Sequence, residues 1–238
     1  MTNWAALRHA YGPADDIPGL LAAAEADPND ETVWTALWGH LCHQGTIYSA
    51  SYPALSALAT MAARHPSNYP HYPLHLAASI VASEDRPEDM DAIRRDYPDE
   101  LQTLRDLAEQ SLRPSDDFVT FLYGLQALMA FEGSPPWNRE LEALASEEVT
   151  LECPSCDEYL TITIAEAPAT TTAMDDALPI TTVTPADPHQ LRGSTARIYS
   201  LALQHEQAKV LDRLPYLFGD TLCPACGTTL NLPQALST

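Results

Sequence analysis

Positive charge is scarce in this chain of 238 residues. The chain has 12 lysines and arginines against 33 aspartates and glutamates, and Lys209 is its only lysine. Nucleic-acid binding depends on cationic side chains that neutralise phosphates, so this composition argues against a nucleic-acid partner. The same excess of carboxylates would attract a cationic protein, although an acidic surface can also serve solubility alone. Both explanations stay open at this point.

Long apolar segments are also missing. The run from Leu74 to Ala82 is far shorter than the roughly 20 residues that a membrane-spanning helix needs. The first residues, Met1 to Trp4, show neither the basic region nor the apolar region of a signal peptide. We therefore expect a cytoplasmic protein without a membrane partner.

Several catalytic signatures are absent as well. The sequence contains no Gly-rich phosphate loop, no Gly-x-Ser-x-Gly elbow, no dinucleotide fingerprint and no His-Glu-x-x-His motif. No catalytic residue and no organic cofactor are therefore predicted.

Carboxylates are absent from residues 34–83, although the rest of the chain is rich in them. Buried helices are generally short of carboxylates, so this segment is predicted to form the central helices of the fold. A functional face is the alternative, because the same segment holds five of the eight histidines. These are His40, His43, His65, His71 and His75.

Two of these histidines are candidates for a site. His40 and His43 are three residues apart and can share a helix face, with His9 or His75 in support. A metal or acid–base site there would indicate a hydrolase that uses residues 40–75, whereas core or helix-end histidines need no such function. Cys42 lies beside them on an apolar stripe and is predicted to be a small buried hydrophobe.

Residues 1–148 show the periodicity of successive amphipathic helices, which are interrupted by prolines and polar turns. The segment Asp27–Asp30 separates two of them, and His43–Thr46 indicates a helix end with Gly45 just beyond it. Strand-like alternation is not expected in this part. Short helices with brief connections predict a mostly α fold, a HEAT-like α-solenoid over residues 1–148.

Four of the five cysteines form two pairs of the same type, Cys-Pro-x-Cys. Two intervening residues let both thiolates of a pair face one ion, and two pairs supply the tetrahedral set of four sulfurs that structural zinc prefers. Paired cysteines in a reducing compartment favour a metal over disulfides. An iron ion of the same geometry, a redox dithiol and two disulfides are the alternatives. The predicted zinc ligands are Cys153, Cys156, Cys223 and Cys226.

The surrounding segments predict a zinc-ribbon-like α+β module over residues 149–238. Residues 149–152 and 159–164 alternate and are β-branched, which predicts a hairpin around the first pair. Residues 165–185 are rich in Ala, Thr and Pro and are predicted to be a loop. The pairs are 66 residues apart, more than a ribbon needs, so we expect an inserted helix over about residues 187–214.

Two stretches resemble small bacterial HEAT-repeat-like proteins, some of which look like immunity proteins of toxin systems. They are Trp4–Leu21 and Trp38–Ala50, and the resemblance covers about the first 60 residues well and the rest of the chain loosely. It implies an α-solenoid that binds another protein, and it brings no catalytic residue with it. A zinc ribbon occurs in many unrelated proteins, so it supports the fold more than the function.

Taken together, these patterns predict a non-enzymatic protein that binds another protein. The most specific form of this hypothesis is an immunity protein that neutralises a basic toxin, and a regulatory or scaffolding adaptor is the alternative. Two acidic runs are candidates for the binding face. Residues 84–117 hold 12 carboxylates and five arginines, and residues 132–158 hold eight carboxylates and one arginine.

Overall fold

The structure is a computed structural model that describes residues 2–64, 71–114, 116–165 and 167–237. The chain forms two compact units. The first comprises Met1–Ser111 with Ala130–Gly133, and the second comprises Leu112–Met129 with Ser134–Thr238. Helices are the main element and the sheets are small, so the prediction of a mostly α protein is confirmed. The domain boundary at residue 148 stays a prediction.

The first unit begins with a 3₁₀ turn at Trp4–Ala6 and a hairpin, which are followed by helices. Helix α1 lies against α2, and α3 lies against α4 and α6. A second hairpin separates α2 from α3. The elements are β1 Arg8–His9, β2 Gly12–Pro13, α1 Ile17–Ala26, α2 Glu31–Leu41, β3 Cys42–His43, β4 Thr46–Ile47, α3 Ser51–Arg64, α4 Tyr72–Ala82, α5 Met90–Asp96 and α6 Pro98–Ser111.

The polar break between α1 and α2 lies where the sequence predicts it. Helix α1 ends at Ala26, and the carboxylate of Asp30 accepts hydrogen bonds from the amides of Thr32 and Val33 at the start of α2. These bonds satisfy amides that have no partner within the helix. Trp34 follows on the inner face of α2, where only 2 % of it is exposed.

The segment without carboxylates forms the interior of the first unit. Most of the described residues of 34–83 are buried or partly buried, and the inner faces of α3 and α4 are lined by Leu, Ile, Ala and Met side chains. The prediction of buried central helices is therefore confirmed for these residues. His65 and Tyr69, which belong to the same segment, lie outside the described residues.

The expectation of no strands before residue 148 is wrong. After α2 the chain forms the two-residue hairpin β3–β4, in which Cys42 pairs with Ile47 and His43 pairs with Thr46. Gln44 and Gly45 form its turn with φ values of 52° and 85°. Two consecutive left-handed residues fit the twist of a tight hairpin, so Gly45 closes this hairpin and does not end a helix.

The second unit has helices before, between and after its strands. The elements are α7 Phe118–Glu132, α8 Trp137–Glu140, α9 Ala143–Ser146, β5 Glu148–Glu152, β6 Tyr159–Thr163, β7 Thr170–Ala173, β8 Thr181–Thr182, α10 Gly193–Gln204, α11 Ala208–Leu217, β9 Asp220–Leu222, β10 Thr229–Asn231 and α12 Leu232–Ala235. The last residues of α7 belong to the first unit. A 3₁₀ turn at Pro188–Gln190 precedes α10.

The sheet of this unit is antiparallel with the order β5-β6-β7-β8, and the hairpin β9–β10 is attached to it. A bridge between Thr184 and Asp220 makes the attachment. Next to it, the hydroxyl oxygens of Thr171 and Thr221 are 2.6 Å apart in a hydrogen bond between two buried side chains. The sheet and the hairpin β9–β10, which carry one cysteine pair each, are thereby held side by side.

In this unit one sequence prediction is confirmed and two are wrong. The hairpin around the first cysteine pair is confirmed as β5–β6. The loop expected over residues 165–185 instead contains β7 and β8, and the single helix expected over residues 187–214 is the pair α10 and α11. The break between these helices contains Glu206 with a φ of 55°. The side chain of Gln207 donates from the same break to the carbonyls of Arg113 and Asp116, both at 3.3 Å.

Membrane insertion can be judged from the helices. Among the described residues, no helix combines the length and the apolar character that a membrane crossing requires. The compartment of the protein stays a prediction.

Candidate metal centre

The two cysteine pairs meet at one end of the second unit. Cys153 and Cys156 lie in the loop between β5 and β6, and Cys223 and Cys226 lie in the loop between β9 and β10. The four Sγ atoms all lie within 4.8 Å of one another. The loops come together because β9–β10 is attached beside β8, so residues separated by about a third of the chain share one site.

The two loops have the same backbone design. The amide of Cys153 donates to the carbonyl of Glu158, and the amide of Cys223 donates to the carbonyl of Thr228, both at 2.9 Å. In each loop the residue after the second cysteine then donates back to the carbonyl of the first, again at 2.9 Å. These residues are Asp157 and Gly227, and both adopt the left-handed conformation, with φ values of 58° and 74°.

The spacing of the sulfurs fits a tetrahedral ion. Cys153 Sγ lies 3.8 Å from Cys226 Sγ, and Cys156 Sγ lies 3.7 Å from Cys223 Sγ. Four thiolates bound to zinc at about 2.3 Å stand about 3.8 Å apart along the edges of the tetrahedron. The two distances therefore fit four sulfurs around one zinc ion, and all four cysteines are free thiols.

Burial differs within each pair in the same way. Cys153 and Cys223 are buried at 0 % and 1 % exposure, whereas Cys156 and Cys226 are exposed. The first cysteine of each pair therefore points into the unit and the second points outward. An ion held by all four would lie at the surface with its inner side covered by protein.

The surroundings shift the pKa values of these thiols in opposite directions. The Glu158 amide favours the Cys156 thiolate, but the Cys226 sulfur, partial desolvation and the other two sulfurs together raise the pKa of Cys156 to about 12. Burial raises the pKa of Cys223. The hydroxyl and amide of Thr228 lower the pKa of Cys226 to about 6. Four thiolates at this spacing would repel one another, and a divalent cation between them would offset that repulsion.

The fifth cysteine has no part in this site. Cys42 is 5 % exposed at the end of α2, and burial raises the pKa of its thiol while the amide of Gly45 lowers it. Since a buried thiol with a raised pKa is a poor nucleophile, the prediction that Cys42 is a small buried hydrophobe is confirmed.

The structure brings His9 to His40, as one of the sequence alternatives has it, but His43 is not part of this cluster. His40 Nε2 lies 3.5 Å from a carboxylate oxygen of Asp16, and His9 Nε2 lies 3.3 Å from the other oxygen. His43 Nδ1 instead lies 3.2 Å from the hydroxyl of Tyr11. The sequence reasoning missed Asp16, because nothing in the local pattern at the start of α1 relates it to the end of α2.

His75 lies partly buried on α4. Burial, together with the nearby His71, lowers the pKa of His75 to about 4, so the ring is neutral at physiological pH. A neutral histidine on the carboxylate-free helix α4 is consistent with a packing role.

Comparison with known proteins gives no further identification. No protein-family model, no curated protein and no solved structure matches this chain. The HEAT-like resemblance and the immunity function that it implies therefore stay predictions.

Proposed function

We propose that the four cysteines hold one structural zinc ion and that the chain is a non-enzymatic protein whose partner is a cationic protein. Four thiolates complete a tetrahedral zinc site and leave no position for water or a substrate. Such an ion builds structure and performs no catalysis. The convergence of the four sulfurs at tetrahedral spacing is the observation that supports the zinc.

The charge around the cysteines supports a cationic partner. The sequence contains no lysine or arginine between Arg139 and Arg192 and none after Arg213. All of the strands of the second unit fall in these two segments. The carboxylates of Glu148, Glu152 and Asp157 are exposed there, and a zinc ion with four thiolates adds a net charge of −2. A cationic surface would be attracted to this end of the unit, and a polyanion would be repelled.

The HEAT-like α-solenoid is part of the same proposal. Its support lies in the first unit, where consecutive helices α1 and α2 lie against each other, as do α3 and α4, with short connections. In an α-solenoid, helix pairs stack and present surfaces that bind other proteins. A nucleic-acid-cleaving toxin is the most specific partner in this proposal, because an enzyme that binds phosphates carries cationic side chains. A toxin gene beside this gene would support immunity over an adaptor function.

The test begins with isolation of the partner from the source organism on immobilised protein. Association is then measured at low and high ionic strength, because charge complementarity acts mainly on the association rate. The double variant Glu148→Lys/Glu152→Lys is compared with charge reversal of two carboxylates in residues 84–117, such as Asp91→Lys/Asp99→Lys. We expect the association rate to fall steeply as the salt concentration rises. It should also fall in the variant Glu148→Lys/Glu152→Lys.

Two outcomes would contradict the proposal. Association that is indifferent to salt and to both charge reversals would remove the acidic surface from the mechanism. A partner that carries a net negative charge would exclude the cationic class altogether.

A further inference from the structure

A second group of metal-ligand side chains lies in the first unit, well apart in sequence from the cysteines. Asp16 places one carboxylate oxygen 3.3 Å from His9 Nε2 and the other 3.5 Å from His40 Nε2. The three ligand atoms all lie within 4.8 Å of one another, and the two imidazole ring centres are 4.4 Å apart. Ligand atoms bound to zinc at about 2.0–2.1 Å stand about 3.3–3.4 Å apart in a tetrahedron. The two distances to Asp16 are therefore compatible with ligands of one metal ion.

Three separate elements bring these residues together. His9 ends β1, Asp16 immediately precedes α1, and His40 lies in the last turn of α2. The amide of Ala10 donates to the carbonyl of His40 at 3.1 Å, which ties the turn of the hairpin β1–β2 to the end of α2. Backbone contacts thus fix the positions of both histidines.

His40 is oriented as metal-ligating histidines usually are. Its Nδ1 donates to the carbonyl of Ala36, one turn earlier in α2, at 2.5 Å. This bond places the proton of the neutral ring on Nδ1 and leaves the lone pair of Nε2 facing Asp16. A hydrogen bond from the second ring nitrogen to a backbone carbonyl is the common way in which proteins orient such a ligand. A lone pair and a carboxylate oxygen that face each other need a cation between them, either a proton or a metal ion.

His9 is arranged differently. Its Nδ1 accepts the amide N–H of Tyr11 at 3.0 Å, so the proton of the neutral ring is on Nε2 and is donated to Asp16. A metal ion that binds Nε2 takes the place of this proton, the ring proton moves to Nδ1, and the Tyr11 amide loses its acceptor. This is a single hydrogen bond in the turn of a hairpin, where Tyr11 is 64 % exposed.

From this geometry we propose that His9, Asp16 and His40 form a second metal site, which takes a divalent first-row transition ion such as Zn²⁺. Imidazole nitrogens with one carboxylate suit ions of this group. Three protein ligands leave at least one coordination position for solvent, and half of the Asp16 side chain is exposed. The site is therefore open, unlike the closed set of four cysteines. It extends beyond the proposed protein-binding function and does not depend on it.

Cobalt distinguishes the two sites, because only thiolate ligands give an intense sulfur-to-cobalt charge-transfer band. Metal-free protein is equilibrated with Co²⁺ by dialysis, bound ions are counted by mass spectrometry of the elements, and the absorbance of the thiolate band is recorded. We expect two ions per chain, with the thiolate band accounting for one of them. The variant His40→Ala should bind one ion and keep the full thiolate band.

Two further variants make the result independent of folding defects. Asp16→Asn keeps the shape of the side chain and should also lose one ion without loss of the thiolate band. His189→Ala removes an exposed histidine of the second unit and should keep both ions. In the amide spectrum of the wild type, binding of Zn²⁺ should shift the Tyr11 signal, since His9 must release it.

The proposal is overturned if the wild type binds one ion, all of it in the thiolate band. It is equally overturned if His40→Ala and Asp16→Asn retain two ions, or if His189→Ala loses an ion as they do. In these cases the cluster is a hydrogen-bonded structural contact in which a proton lies between His40 and Asp16.

Discussion

The neutral state of His75 makes the first unit sensitive to acid. The pKa of His75 is about 4 in the folded protein because of burial and the nearby His71, whereas the unfolded chain has the ordinary value of 6.5. Below pH 6.5 the unfolded chain therefore binds a proton that the folded chain does not. Stability falls as the pH drops from about 6.5 to 4, and it changes no further below that range as far as His75 is concerned.

The size of this effect follows from the two pKa values. Between pH 7 and pH 5 the difference in proton binding lowers the free energy of unfolding by about 2 kcal/mol. This is an upper bound, because His75 keeps some solvent contact, and water at the ring would weaken the desolvation that lowers its pKa.

The assay compares each variant with itself at two pH values. Urea unfolding, followed by tryptophan fluorescence, is measured at pH 7 and pH 5 for the wild type, for His75→Leu and for His189→Leu. Leucine fills a similar volume and does not titrate, so His75→Leu should lose up to about 2 kcal/mol less than the wild type on acidification. His189→Leu, which changes an exposed histidine, should behave as the wild type does. An equal loss in the wild type and in His75→Leu would refute the assignment of a neutral buried ring.

Two further predictions concern the second unit. Arg213 donates to the Leu144 carbonyl at 2.8 Å and to a Glu147 carboxylate oxygen at 2.6 Å. Arg213→Met keeps the apolar stem, and loss of the bonds to the Leu144 and Ala165 carbonyls should lower the free energy of unfolding by about 1 kcal/mol in thermal or urea denaturation. An unchanged stability would contradict this. Thr171→Val removes the buried hydrogen bond to Thr221 and should cost about 1–2 kcal/mol, because it leaves a buried hydroxyl without this partner. The double variant Thr171→Val/Thr221→Val should cost less than the sum of the single variants, and full additivity would show that the two hydroxyls do not interact.

Local chemistry made the cysteine site predictable. The pairs at Cys153 and Cys223 carry their own turns, and the alternation on either side of the first pair predicts β5 and β6. Strands β7 and β8 were missed because Thr170–Ala173 and Thr181–Thr182 are short and lack apolar alternation. They are strands because they pair with β6 and with each other, and such pairing is decided by tertiary structure more than by local sequence.

Tertiary contacts also explain the other differences. The break between α10 and α11 contains neither glycine nor proline, and the side chain of Gln207 binds carbonyls about 90 residues earlier in the chain. The cluster of His9, Asp16 and His40 depends on how the hairpin β1–β2 lies against the end of α2. The spacing of residues along the chain reveals neither of these contacts. From the sequence alone, His40 was therefore grouped with His43, which is three residues away.

The identity and ligands of the metal bound by the cysteines are the most direct test of the central claim. Metal-free protein is loaded with one equivalent of Zn²⁺, so that the closed thiolate site is filled first, and the zinc X-ray absorption spectrum is recorded. Coordination by Cys153, Cys156, Cys223 and Cys226 predicts four sulfur neighbours at about 2.3 Å and no lighter ligand. A shell of nitrogen or oxygen at about 2.0 Å in place of sulfur, or protein that retains no zinc, would contradict the account.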